Sequence, residues 1–168
     1  MNKVQKNGIF TVQQVANFFL NKGNEGNIEI SPMKLIKLVY FAYGWVLAIT
    51  NKRLFSDPIE AWDYGPVIPV LYYEFRSWGK NPINCTSYTR NFETGEVDIP
   101  NITENSKNKD IIRILEAVWN TYKSFSSWEL SNESHSKGSP WEKVYKKGYN
   151  IQLIDDHISN YFLKEIKK

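Results

Sequence analysis

Cysteine is nearly missing from this sequence: Cys85 is the only one in 168 residues. That excludes an internal disulfide framework and fits a reducing compartment. No base stands beside Cys85 in sequence, so it is expected to be a small, buried or half-buried hydrophobe. Histidine is almost as scarce, with His135 and His157 alone. A zinc site needs three or four Cys or His ligands at recognisable spacing, and no such set exists. The phosphate-binding pattern GxxxxGK[ST] is absent, and Gly23–Gly26 lacks the strand, lysine and helix context of a phosphate loop. Neither sign of charge dominates: 21 basic residues face 18 acidic ones, for a net charge of +3. A nucleic-acid binder would concentrate its basic charge on one face. No helix carries the cluster of Arg, Lys, Asn and Gln that base contacts need. The longest apolar run, Leu38–Ile49, is short of the ~20 residues that span a bilayer, and Gly44 interrupts it. Met1–Phe10 has no apolar region ahead of a small-residue cleavage site. The expectation is a cytoplasmic protein without membrane insertion, metal, cofactor or bound nucleic acid.

Rings are abundant instead. Aromatic residues make up 15% of the chain against only two methionines, so flat rings must do much of the packing. The length suits one domain, with a core spanning about residues 10–162. Met1–Asn7 is polar and reads as a loose lead-in. Thr11 caps a helix whose apolar face is Val12, Val15, Ala16, Phe18 and Phe19, and the glycines at 23 and 26 stop it. Ser31-Pro32 is a strong helix start, because a proline at the first helical position loses no hydrogen bond. From about 31 to 50 the residues are apolar nearly all round, which places this helix at the centre of a bundle. Gly44 within it costs about 1 kcal/mol against alanine, and close approach by another backbone is the expected return.

A short β element is predicted at about 59–62, with a turn enforced by Gly65-Pro66. A helix from Pro69 follows, ending near Trp78-Gly79. Residues 82–100 read as an irregular or hairpin excursion. Four further helical stretches follow: one through Ile111–Tyr122, one capped by Ser126, one from Ser139-Pro140 to about Lys147, and a last one carrying Ile151, Ile154, Ile158, Tyr161, Phe162 and Ile166. Lys164, Lys167 and Lys168 stand where cations complement a helix dipole. The fold class is therefore mainly α.

Catalytic groupings are few. Glu133, Ser134 and His135 suggest a hydrolase using His135, but neighbours on one helix rarely converge as nucleophile, base and orienter. An interhelix hydrogen bond is the structural alternative for His135, and His157 is expected at the surface. Glu60 and Asp63 flank Trp62 and are expected to point apart, which argues against paired acid/base work; one of them is expected to brace Arg76 or a helix end. What remains is an aromatic corner of Trp62, Asp63, Tyr64, Pro66, Tyr72, Tyr73 and Trp78. Tyr and Trp dominate interface hot spots, so this corner is the candidate partner-binding surface.

The stretch from Leu35 to Trp45, then Leu54-Phe55, then Glu60-Ala61-Trp62-Asp63-Tyr64-Gly65-Pro66-Val67-Ile68-Pro69, resembles the Panacea domain, the SocA-like antitoxin family associated with phages and mobile elements. The downstream Leu130, His135 and Ser139-Pro140-Trp141 resemble the family's second signature. The resemblance covers about residues 10–162. It implies a mostly helical, non-enzymatic antitoxin of a toxin-antitoxin system that neutralises a cognate toxin by direct binding. The alternative it implies is a proteolytic adaptor, with a protease or its unfoldase as second partner. It also implies structural roles for Gly44, Gly65, His135, Pro140 and Trp141. Residues 82–100 match no family motif.

Overall fold

The computed structural model describes residues 7–166. The expectations for Met1–Lys6 and for Lys167 and Lys168 lie outside these residues. Helix α1, Val12–Glu25, opens on a capping box: Thr11 Oγ1 accepts from the Gln14 amide at 3.2 Å, and Gln14 Oε1 accepts from the Thr11 amide at 2.9 Å. Helix α2, Pro32–Thr50, starts at the Ser31 cap and ends at Asn51 in the left-handed conformation. It packs against α1, α4 (Lys109–Tyr122), α5 (Ser127–Ser134) and α7 (Asp155–Ile166) at once. That surround explains why it is apolar on every flank. By length and composition α2 matches a membrane span, yet 78% of its most apolar window is already covered by protein.

Gly44 earns its place differently from the expectation. A side chain there would stand inside the ring of Phe162, so the close approach is made by an aromatic side chain of α7 and not by a backbone. The same ring meets Tyr40, Phe41 and Trp45 of α2, the last at 5.0 Å between centroids.

Strand β1, Glu60–Trp62, pairs antiparallel with β2, Gly65–Val67, in the register Trp62↔Gly65 and Glu60↔Val67. The reversal therefore falls on Asp63-Tyr64, the first half of the expected Asp63–Pro66 turn, and Gly65-Pro66 begin the return strand. A third strand, β5 (Ile151–Gln152), completes the sheet in the order β2-β1-β5. This corrects two boundaries. Helix α6, Pro140–Val144, stops short of Lys147 because Tyr145 takes an extended conformation. Ile151 and Ile154 precede α7 and are 39% and 52% exposed, while Leu153 is the buried residue of that stretch. The chain turns back at 145–150 to lay β5 on β1, which is why the helices end and begin where they do.

Helix α3, Pro69–Phe75, runs into a 3-10 turn at Arg76–Trp78. Strands β3 (Thr89–Arg90) and β4 (Val97–Asp98) form the small hairpin expected within 82–100. Its base is held by a fully buried Asn17, whose side chain donates to the carbonyls of Ser87 and Pro100 and accepts from the Ser87 amide. Cys85, at this base, is exposed, contrary to expectation. His157 is half-buried on α7 with Nδ1 shielded, and so is not a plain surface residue.

Candidate functional site

The β1–β2 turn is a short loop at Asp63-Tyr64, both of which are exposed. Its rigidity comes from backbone carbonyls at alternate positions. Trp141 Nε1 of α6 donates to the Trp62 carbonyl at 2.7 Å. Ser131 Oγ of α5 donates to the Tyr64 carbonyl at 2.8 Å. Lys37 Nζ of α2 donates to the Pro66 carbonyl at 2.8 Å. Three helices, each distant in sequence from the turn, thus each supply one donor to it. A buried carbonyl left unmade costs about 1–3 kcal/mol, so Trp141→Phe is expected to lower unfolding stability by that amount in urea denaturation.

Gly65 sits at the centre of this clamp. Its φ is +97°, and a side chain there would lie 2.7 Å from Ser134 Oγ and 2.8 Å from Lys37 Nζ. Only glycine meets both demands. Lys37 is the residue that sequence reasoning missed. It is 1% exposed, and burial brings its pKa down to about 7. The available signal was a lysine on a helix otherwise apolar on every side. Lys34, one turn earlier, is also buried and donates to the Lys123 carbonyl just beyond the C-terminus of α4 at 2.7 Å, a cation at the negative end of that helix.

The expected aromatic corner divides into a fixed base and an exposed rim. Pro66 is buried, and Trp62, Tyr72 and Trp78 are half-buried. Tyr64 and Tyr73 are 59% and 58% exposed. Trp128 of α5, outside the expected corner, stands edge-on to Tyr64 at 5.7 Å and is 56% exposed. Trp62 meets Tyr72 edge-on at 4.8 Å, and Tyr72 in turn meets Tyr73 at 5.4 Å. The rings therefore form two edge-to-face groups, Tyr64 with Trp128 and Trp62 with Tyr72 and Tyr73, whose geometry adds attraction beyond area burial.

The carboxylates are occupied locally. Glu60 accepts from Trp62 Nε1 at 2.8 Å, and Asp63 accepts from the Tyr145 hydroxyl at 2.9 Å. Neither braces Arg76, whose guanidinium lies over the Tyr73 ring. His135 stacks obliquely on Trp141 at 5.1 Å. Its Nδ1 is buried and finds no hydrogen-bond partner among the described residues, so that atom does not make the expected interhelix bond. Ser134 Oγ donates to the Ser131 carbonyl at 2.8 Å and is not aligned on a base. Among the described residues no group of three His, Cys, Asp or Glu side chains is placed to hold a metal ion.

A family model described as "Antitoxin SocA-like, Panacea domain" matches residues 35–142. That span opens two residues before Lys37 and closes one after Trp141, so it encloses the turn and all three of its donors. Antitoxin SocA of Caulobacter vibrioides (strain NA1000 / CB15N) is 33% identical over 153 residues, covering 88% of this chain and 80% of that protein. No solved structure matches the chain. A matched span that encloses the whole clamp, joined to a relative aligned over most of both chains, leads to one conclusion: this protein belongs to the SocA-like, Panacea-domain antitoxin family.

Proposed function

We propose that this chain is a cytoplasmic antitoxin, a single Panacea domain over about residues 10–162, that neutralises a cognate toxin by direct protein–protein binding. The supporting observation is the exposed rim of Tyr64, on a turn whose carbonyls three helices bind, with Tyr73 of α3 and Trp128 of α5 beside it. Such a rim offers large contact area with little rotamer entropy to lose, the property of interface hot spots. The turn is held through its backbone carbonyls by Lys37, Ser131 and Trp141, so the rings of the rim can be changed without removing what fixes it.

Co-expression tests this reading. The product of each neighbouring reading frame is induced in a growth assay with and without this chain. The chain is expected to restore growth against one of them. Tyr64→Ala combined with Tyr73→Ala is expected to weaken complex formation roughly 30-fold or more while leaving the melting curve nearly unchanged. Full rescue by that folded variant would remove the rim from the interface. Toxin levels that fall only when a protease is present would favour an adaptor mechanism over sequestration.

A further inference from the structure

Beside the turn, between the first half of α2, α3 and the 147–150 loop, lies a cavity of about 610 Å³. That volume is within the range of ligand-sized sites. Ile36, Val67, Trp62 and Tyr72 give it an apolar interior. Its charged lining is one-sided: Lys37, Arg76 and Lys147 against the single carboxylate of Asp63. Asp63 already accepts from Tyr145 and Lys37 is a buried amine bound to the Pro66 carbonyl, whereas Arg76 and Lys147 form no ion pair among the described residues. Arg76 and Lys147 are exposed and line the cavity from two different segments.

We propose that this cavity receives an acidic anchor from the partner polypeptide: an apolar or aromatic side chain that fills the interior, next to a carboxylate held by Arg76 and Lys147. The inference rests on the toxin-binding reading and names the chemistry that the toxin must present. Two observations favour a polypeptide over a free small molecule. The exposed Tyr64 belongs to both the cavity and the aromatic rim, so a chain seated in the cavity continues onto Tyr64 and Trp128. Gly79 and Gly148 line the same opening with open space where a side chain would stand, which lets a partner's main chain come close. Arginine suits the role because its planar fork matches a carboxylate in two hydrogen bonds.

The test uses the full chain and a defined probe, indole-3-propionate, against its primary amide, with binding read from amide chemical shifts. The carboxylate is expected to bind about fivefold more tightly than the amide, since charge-assisted hydrogen bonds are roughly twice as strong as neutral ones. The shifts should centre on residues 33–37, 62–67 and 147–150, and the preference should vanish in Arg76→Glu combined with Lys147→Glu. Both residues are exposed, so this variant is expected to fold. Equal binding of acid and amide, or shifts centred elsewhere, would overturn the proposal. This readout needs no toxin, so it stands apart from the growth assay. With a toxin in hand, the same double variant should lose rescue while Lys107→Glu with Arg113→Glu on and just before α4 keeps it. Rescue undiminished by the cavity variant would overturn the cavity assignment and leave toxin binding intact. Stoichiometric, micromolar binding of the free carboxylate that the toxin does not displace would make it a small-molecule site and likewise overturn the proposal.

Discussion

Gly44→Val is expected to cost this protein about 3 kcal/mol or more of stability, out of the roughly 5–15 kcal/mol a typical domain has. The reason is local and geometric. Valine would place three carbons where the Phe162 ring now stands, and Phe162 is only 1% exposed with no room to retreat. Displacing it also breaks its edge contacts with Tyr40, Phe41 and Trp45, each contributing about 0.5–1.5 kcal/mol beyond area burial. Helix α7 would then lose its seat on α2. A thermal melt followed by circular dichroism should show a fall of roughly 6–12 °C for a chain of this size. Adding Phe162→Ala to Gly44→Val should cost less than the sum of the two single changes, because the second removes the ring that the first collides with. An unchanged melting temperature in Gly44→Val would contradict the packing described for α2 and α7.

Lys37→Met is expected to change the sign of its effect with pH. Unfolded, the Lys37 amine keeps its proton to about its ordinary 10.5, whereas folded it releases it near pH 7. Between those values the unfolded chain binds more protons, so Lys37 makes stability rise with pH across that window. Below pH 7 both states are protonated, and the folded chain carries the full cost of a buried ammonium. The width of the window sets that cost at no more than about 5 kcal/mol. Methionine removes this cost but leaves the Pro66 carbonyl unpaired, a loss of about 1–3 kcal/mol. The variant should therefore be more stable than the parent by about 2 kcal/mol at pH 6 and less stable by up to about 2 kcal/mol near pH 10. Urea denaturation of both proteins at matched pH isolates the difference, since other titrating groups are common to the pair. A difference that stays constant from pH 6 to pH 10 would show that Lys37 is not the buried, carbonyl-bound amine described above.

Much of the fold was legible because its signals are local. Thr11, Ser31, Ser126 and Ser139 each accept a hydrogen bond from the third residue of the helix they precede, which is why caps can be read from one sequence. The central helix announced itself by being apolar on every flank. What escaped was set by contacts between distant residues. Strand β5 is two exposed residues long, and only its pairing with β1 makes Ile151-Gln152 a strand. Nothing in its own pattern separates it from a helix start. Asn17 reads as a polar residue on an apolar helix face, but it serves residues 87 and 100. Asp155 joins Tyr43 and Arg53 to the start of α7 at 2.7 and 2.6 Å, a link with no sequence spacing to betray it.

The candidate site was half legible for the same reason. The rings and the Gly65-Pro66 pair stand together in the chain, so the corner could be named. The clamp could not, because Lys37, Ser131 and Trp141 come from three helices that meet only in the fold. Trp128 was hidden in the same way: its role depends on α5 lying beside the turn. The division between a fixed base and an exposed rim exists only in three dimensions, and it decides which rings are free to meet a partner.

Hydrogen exchange of the chain alone and bound to the toxin proposed as its partner bears most directly on the central claim. The account predicts new protection at residues 62–66, 72–79 and 126–131 on complex formation, with α4 and the 89–98 hairpin unchanged. Protection confined to that hairpin or to α4, with the aromatic corner exchanging as freely as before, would contradict it.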